Sequence, residues 1–225
     1  MNRWALLDTV DIPHNGGQLR LLGRDQEFVI RISGIQGDLM NSRAHGSEDA
    51  LGQLACAHLS QTADALVLIG GLGMGFTLAA ALKTLPDSAR VQVAELVPGV
   101  VKWNREIIGG CAGEPLKDPR VEIITADVGG PIRRAESCFD AIVLDVDNGP
   151  EGLTHPENDD LYSLVGLEEA YHALRRSGVL AVWSATAVPR FTGLLKKAGF
   201  RVEEKPVRAH NGKGARHMIW LASKD

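Results

Sequence analysis

Short, almost continuously apolar segments recur between residues 65 and 183 of the chain. Strands of a parallel sheet have this composition because helices cover both faces of the sheet. The pattern therefore predicts five buried strands, which occupy residues 65–69, 91–94, 121–124, 141–144 and 179–183.

Segments with apolar residues at helical spacing alternate with these strands. They cover residues 76–82, 98–108, 164–174 and 191–198. Another helix is predicted to start near Ser47, its expected N-cap, because Glu48 and Asp49 follow in the first turn, where the helix dipole favours anions. Arg175 and Arg176 follow as a C-terminal signal that is expected to close the helix at 164–174.

Two more strands are predicted at residues 201–206 and 217–222, joined by only about ten residues. A parallel crossover needs a connection of about a dozen residues or more, so these two strands should pair antiparallel. Alternating strands and helices followed by a reversed strand predict an α/β fold with a doubly wound sheet.

The first 46 residues have a different pattern from the rest. Apolar and polar residues alternate over 28–32, and residues 18–22 form a second strand candidate across a turn, which together predict a β-hairpin. We therefore divide the chain into a small N-terminal β element, 1–46, and an α/β domain, 47–225. A lone hairpin is marginally stable in water, so this element should cover the ligand crevice or a subunit interface.

Composition narrows the classes of function. The protein has 225 residues, is 44% apolar and carries a formal net charge of −4, which argues against a strongly basic nucleic-acid-binding protein. Its apolar runs fall short of the roughly 18 residues that a membrane span needs. The three cysteines are far apart, which favours a reducing, cytoplasmic location, and the seven histidines have no metal-ligand spacing. We expect no nucleic acid, membrane or metal partner.

A glycine-rich loop follows the first buried strand and opens a helix, with Gly70, Gly71 and Gly73 in the stretch Ile-Gly-Gly-Leu-Gly-Met-Gly-Phe. Glycines in this position allow a tight turn and a close approach of the backbone to a ligand. Compared with the dinucleotide-binding fingerprint, Phe76 takes the place of the third glycine.

Acidic residues stand at the ends of the next strands. Glu95 ends the second strand, where a carboxylate can accept hydrogen bonds from a ribose diol. Asp127 follows the third strand, where it suits an exocyclic amine, with Val128 beside the base, and also suits a helix N-cap. Asp145 follows the fourth strand, beside the strand of the glycine loop, where it suits an amine-bearing substrate or the role of general base.

Together these features resemble the class I S-adenosylmethionine-dependent methyltransferase superfamily over residues 47–225. The resemblance implies a Rossmann-like seven-stranded sheet in the order 3-2-1-4-5-7-6, with strand 7 antiparallel. It also implies a site for S-adenosyl-L-methionine or its decarboxylated form. That site would comprise Gly70, Gly71 and Gly73 at the methionine part, Glu95 at the ribose, Asp127 and Val128 at the adenine, and Asp145 at the reaction centre.

A closer similarity is to the spermidine synthases. The glycine loop is similar to their Gly-Gly-Gly-Asp-Gly-Gly stretch, and the segment that starts at Asp145 is similar to their Asp-Ser-x-Asp-Pro segment, whose first Asp is catalytic. The similarity implies Asp145 as the catalytic residue and Asp147 and Asn148 as substrate-binding residues. Asn148 stands where the family has its second Asp, and residues 42–48 lack the tyrosines of its gate.

The sequence therefore predicts a transferase that acts on a small, amine-bearing molecule. Methyl transfer is favoured over aminopropyl transfer, because a buried diamine needs anionic partners at both ends and Asn148 carries no charge. A spermidine synthase-like aminopropyltransferase is the main alternative. A nicotinamide oxidoreductase, which would share the glycine loop and Glu95, and a non-catalytic cofactor-binding paralogue are further alternatives. A homodimer through the N-terminal β element is also expected.

Overall fold

The computed structural model describes residues 3–14, 16–146, 149–150, 160–210 and 213–225. A four-stranded antiparallel sheet forms first, in the order β1-β2-β3-β4. Its strands are β1 (Ala5–Asp11), β2 (Gln18–Arg24), β3 (Glu27–Ile32) and β4 (Met40–Asn41). The predicted hairpin is confirmed as β2 and β3, while β1 and the short β4 are additional strands.

A seven-stranded sheet follows, in the order β10-β11-β9-β8-β5-β6-β7. Its strands are β5 (Leu66–Gly70), β6 (Arg90–Ala94), β7 (Val121–Ile124), β8 (Phe139–Leu144), β9 (Leu174–Ser184), β10 (Arg201–His210) and β11 (Lys213–Ser223). Strands β5 to β9 are parallel, and β11 lies antiparallel between β9 and β10. This confirms the expected order 3-2-1-4-5-7-6 with the last strand reversed.

Helices cover both faces of this sheet. They are α1 (Gly46–Cys56), α2 (Phe76–Thr84), α3 (Pro98–Trp103), α4 (Gly129–Arg134), α5 (Leu164–Ala173) and α6 (Pro189–Lys197). A π-helical turn, Asn104–Ile108, continues α3. In the part of the chain that the structure describes, no helix is long and apolar enough to span a membrane.

Alternate residues of the central strands enter two different cores. In β5, Val67 and Ile69 belong to the core that contains α1, α2 and α3, whereas Leu68 belongs to the core that contains α4, α5 and α6. The first core also takes in Leu21 and Ile30 of the N-terminal sheet. The small sheet is therefore packed onto the same side of the large sheet as α1 to α3.

Two helix boundaries differ from the sequence predictions. Helix α1 starts at Gly46 with His45 as its N-cap, so Ser47 lies inside the first turn and the N-cap prediction is wrong. The hydroxyl of Ser47 instead donates to Glu48 Oε2. Helix α5 ends at Ala173, and Arg175 lies in β9, where its guanidinium binds Asp140 2.6 Å away. The backbone is extended there because Leu174 already pairs with Phe139 of β8 in the parallel ladder.

Candidate active site

A cleft of about 800 Å³, part of it open to solvent, lies beyond the carboxyl ends of β5, β6, β7 and β8. The chain runs from β5 to β6 and β7 on one side of the sheet and then crosses to β8 on the other side of β5. Open α/β sheets bind ligands at this reversal of strand order. The N-terminal sheet and the loop before β4 supply five apolar residues of its lining: Ile12, Leu19, Ile32, Leu39 and Met40.

The glycine loop forms one wall of this cleft, and its first glycines allow close backbone packing. A Cβ atom on Gly70 would lie 2.8 Å from Val128, and one on Gly71 would lie 2.3 Å from the carbonyl oxygen of Asp145. Gly71 also has a φ of +86°, in the left-handed region that favours glycine. The loop therefore needs glycine at both positions to fit between the ends of β7 and β8.

Glu95 is buried at the end of β6 and lines the cleft. Its Oε2 accepts a hydrogen bond from the backbone N–H of Leu72 at 2.9 Å, and its Oε1 accepts one from Val97 at 2.8 Å. Burial raises the pKa of Glu95, and these backbone N–H groups oppose the rise. Glu95 thus holds the glycine loop to the end of β6.

Asp127 and Val128 occupy the cleft wall after β7. Asp127 Oδ1 accepts a hydrogen bond from the backbone N–H of Gly129 at 2.9 Å. The N-cap of α4 is Val128, however, so the expectation that Asp127 is the N-cap is wrong, and Asp127 lies one residue before it. Val128 is buried against Gly70. The apolar surface of Val128 and the carboxylate of Asp127 thus stand together at one end of the cleft.

Asp145 lies where β8 ends, and its backbone N–H donates to the carbonyl of Gly70 at 2.9 Å. Its side chain is half-buried, and its Oδ2 accepts a 2.6 Å hydrogen bond from the hydroxyl of Thr77, at the start of α2. Burial raises the pKa of Asp145 to about 6, and the hydrogen bond from Thr77 opposes this rise. Asp145 is thus an ionised carboxylate at neutral pH that takes up a proton within about one pH unit of neutrality.

A second, smaller space, which we call the side pocket, adjoins the cleft and is partly open to solvent. Asp145 and Gly73 line both, and so do Leu39 and Met40. The residues specific to the side pocket are Asn41, Glu48, Leu72, Met74, Phe76, Thr77 and Trp183. Asp145 therefore belongs to the wall that the two spaces share.

Glu48 brings a further carboxyl group into the side pocket. Its Oε2 accepts a 2.5 Å hydrogen bond from Ser47, whose oxygen lies 2.8 Å from Nδ1 of His217. Burial raises the pKa of Glu48 to about 7, and the nearby charge of Asp145 adds to the rise. Burial lowers the pKa of His217, so this imidazole is neutral at pH 7. Because Ser47 donates its single hydroxyl hydrogen to Glu48, Nδ1 of His217 is the donor in its contact with Ser47.

Three residues of this region were not predicted as functional. From the sequence, Glu48 was expected only to interact with the helix dipole, and neither Thr77 nor Trp183 was expected in the site. Trp183 lines the side pocket, and its indole N–H is buried without a hydrogen-bond partner. A tryptophan and a threonine carry no sequence signal that separates such a position from the core.

Asn104 also contributes to the site from below the glycine loop. Its amide donates hydrogen bonds to the carbonyl of Gly73 at 2.8 Å and to that of Val100 at 3.0 Å. In the sequence it is a polar residue at an apolar position of a helix, and this was the available signal. The predicted substrate-binding residues Asp147 and Asn148 lie outside the described residues.

No protein-family model matches the chain, and a comparison with curated proteins also finds no match. Among solved structures, the chain is similar to the spermidine synthase from Thermotoga maritima, with a TM-score of 0.71 and 19% sequence identity. It is also similar to a spermidine synthase in complex with the transition state analogue AdoDATO, with a TM-score of 0.69 and 20% identity. Each similarity covers 98% of this chain and 72% of the other. The chain therefore has the fold of spermidine synthases, as the sequence motifs predicted.

Proposed function

We propose that the protein is a transferase that takes a carbon group from S-adenosyl-L-methionine, or from its decarboxylated form, and passes it to a small amine. The observation that carries this proposal is the position of Asp145. It lies on the wall shared by the cleft and the side pocket, at the carboxyl end of a central strand. A carboxylate placed there meets the donor on one side and the acceptor on the other.

The lining of the cleft suits an adenosyl group. Its lining is mostly apolar and includes three carboxyl groups, those of Glu95, Asp127 and Asp145. The glycine loop forms one wall, where the backbone packs closely against its neighbours. We assign the loop at Gly70, Gly71 and Gly73 to the sulfur-bearing end of the donor. Glu95 is assigned to the ribose hydroxyls, Asp127 to the exocyclic amine and Val128 to the face of the base.

Asp145 would act on the acceptor nitrogen. A bound S-adenosyl donor supplies an activated carbon, because its positively charged sulfur leaves with the bonding electrons as a neutral thioether when nitrogen forms the new bond. Asp145 accepts the proton that the nitrogen loses, which its raised pKa of about 6 favours. Thr77 fixes the orientation of this carboxylate through Oδ2. The remaining contribution is orientation of the two reactants in adjoining spaces.

The proposal includes transfer of either a methyl or an aminopropyl group. Methyl transfer is favoured because the chain lacks the gate tyrosines and the second Asp of the spermidine synthase motifs. Aminopropyl transfer is supported by the similarity of the fold to spermidine synthases, one of them solved with a transition state analogue. It is also supported by the linings, since no Lys, Arg or His among the described residues faces the cleft or the side pocket to neutralise the carboxylate of S-adenosyl-L-methionine.

The experiment compares the two donors directly. The purified protein is incubated with each donor and a panel of amines, and the nucleoside product is identified by mass spectrometry. Adenosylhomocysteine with a methylated amine would show methyl transfer, and methylthioadenosine formed from the decarboxylated donor with a diamine would show aminopropyl transfer. Asp145→Asn should abolish either reaction, while donor binding by calorimetry should persist.

Glu95→Ala tests the donor site in the same assay. It should weaken donor binding by roughly 1.5–3 kcal/mol, the range for hydrogen bonds to a charged group. Unchanged affinity would remove Glu95 from the site. Donor binding without turnover of any amine would instead identify the chain as a non-catalytic paralogue.

Self-association through the N-terminal sheet is a separate part of the proposal. Leu6 and Leu7 of β1 are 51% and 45% exposed, and Ile35, after β3, is 47% exposed. Edge strands with exposed apolar residues are common contact surfaces between chains. We therefore propose that two copies associate through this sheet.

A further inference from the structure

The side pocket holds two carboxyl groups, and its described residues include no cationic side chain to balance them. Glu48 and Asp145 both line it, and no Lys, Arg or His is among its described lining residues. The charge of Asp145 is close enough to raise the pKa of Glu48. Two carboxylates in one half-buried space repel each other, so a cation that enters the pocket gains from both.

The remaining walls of the pocket suit the rest of an alkyl amine. Leu39, Met74 and Phe76 offer apolar surface for a short carbon chain. The indole of Trp183 also lines the pocket, and aromatic rings attract ammonium groups. The chemistry of the pocket thus fits a protonated primary amine with an aliphatic stem.

Glu48 is held in place independently of Asp145. Its Oε2 is fixed by Ser47, which is in turn fixed by His217 of β11. Asp145 is fixed by Thr77 of α2, whose oxygen also lies 3.3 Å from the carbonyl oxygen of Glu48. The two carboxyl groups are therefore oriented from different elements, as a preformed binding site requires.

We propose that Glu48 is an acceptor-binding residue, and that Glu48 and Asp145 together bind the ammonium group of a primary amine in the side pocket. This inference rests on the proposed function, whose acceptor it defines as a cation. Asp145 takes the proton from the nitrogen that reacts, whereas Glu48 provides charge for binding only. Helix α1 thus adds a second carboxyl group beside Asp145, at the same end of the amine.

The test measures amine binding without turnover. The cleft is first saturated with 5′-methylthioadenosine, and 1,4-diaminobutane is titrated at pH 8 by calorimetry, with the uncharged 1,4-butanediol as the comparison ligand. The variants are Glu48→Gln, Glu48→Asp and, as a matched change of charge at an exposed site, Glu168→Gln on α5. Binding of methylthioadenosine to each variant reports whether the fold and the donor site are intact.

Glu48→Gln should raise the dissociation constant for 1,4-diaminobutane by about 10-fold or more, the loss expected for one charge-assisted hydrogen bond. Glu48→Asp should recover part of that loss, and Glu168→Gln should match the wild type. The diol should bind weakly and equally to all four proteins.

Two results would overturn the proposal. One is equal diamine affinity in the wild type and Glu48→Gln. The other is a wild-type protein that binds methylthioadenosine but not the diamine, which would leave the donor half of the proposed function standing. Failure to bind methylthioadenosine would instead count against the proposed function itself.

Discussion

The carboxyl groups of Glu48 and Asp145 keep their protons to a higher pH in the folded chain than in an unfolded one. Burial is the main cause for both, and it raises the pKa of Glu48 from 4.5 to about 7 and that of Asp145 from 3.8 to about 6. Between about pH 4 and pH 7 the folded chain therefore binds more protons at these sites than the unfolded chain. The stability that they contribute is complete below about pH 4 and is lost as the pH rises through 7.

Glu48→Gln should therefore stabilise the protein more at pH 8 than at pH 5, because the amide removes the charge that burial disfavours. The measurement is the free energy of unfolding in urea for the wild type and the variant at both pH values. Glu168→Gln, at an exposed position, should show the same small difference at each pH. An equal gap between Glu48→Gln and the wild type at pH 5 and pH 8 would contradict this prediction.

Among individual site residues, those that closely follow a strand could be predicted from the sequence. Glu95, Asp127 and Asp145 each stand one to three positions after a buried strand, and the sheet brings such positions to one edge. Glu48 could not be placed in this way, because it reaches Asp145 through the packing of α1 against α2. That packing depends on contacts between residues far apart in the chain, which local patterns do not report.

Helices α1 and α2 carry Glu48 and Thr77, and they come into backbone contact at Gly52. A Cβ atom on Gly52 would lie 2.3 Å from the carbonyl oxygen of Thr77 and 2.9 Å from the backbone nitrogen of Ala81. The absence of a side chain at this position sets the distance between the two helices. The relative positions of Glu48 and Thr77 in the side pocket depend on that distance.

Gly52→Ala should destabilise the protein by about 1–3 kcal/mol, the usual cost of overpacking. Gly193→Ala on α6 is the matched control, because a Cβ atom there meets nothing within 4 Å. The control should stabilise the helix by about 0.5–1 kcal/mol. Thermal unfolding followed by circular dichroism distinguishes the two, and a shift of Tm in the same direction for both would refute the explanation.

Strands were predicted well where burial on both faces produces an apolar run, as in β5, β6 and β8. They were missed where the pattern was absent: β1 is largely exposed, with successive apolar residues at Ala5, Leu6 and Leu7. The end of α5 was predicted too late, because Leu174 pairs with Phe139 of β8 and Arg175 is already part of β9. Strand pairing between distant parts of the chain overrides such local signals.

At the scale of the whole molecule, the N-terminal sheet covers one side of the candidate active site. Ile12, Leu19 and Ile32 of this sheet region line the cleft, and Leu21 and Ile30 are buried in the core shared with α1 to α3. The division at residue 46 therefore separates segments that differ in sequence pattern but share one apolar core.

A chain that begins at Ser47 should expose this core, bind a hydrophobic dye and lose affinity for methylthioadenosine. If two copies associate through the sheet, light scattering should give the intact chain the mass of a dimer and the shortened chain that of a monomer. Both expectations would be refuted by a shortened chain that remains soluble, has the same oligomeric state as the intact chain and binds methylthioadenosine equally well.

The unpartnered indole N–H of Trp183 gives this protein a built-in optical probe. Trp103 and Trp220 are fully buried in the cores, and Trp4 lies near the other end of the small sheet beneath the guanidinium of Arg24. Trp183 is thus the tryptophan whose surroundings change when a ligand enters the side pocket. Its fluorescence emission should follow occupancy of the pocket in real time, which makes stopped-flow measurement of acceptor entry feasible without any label.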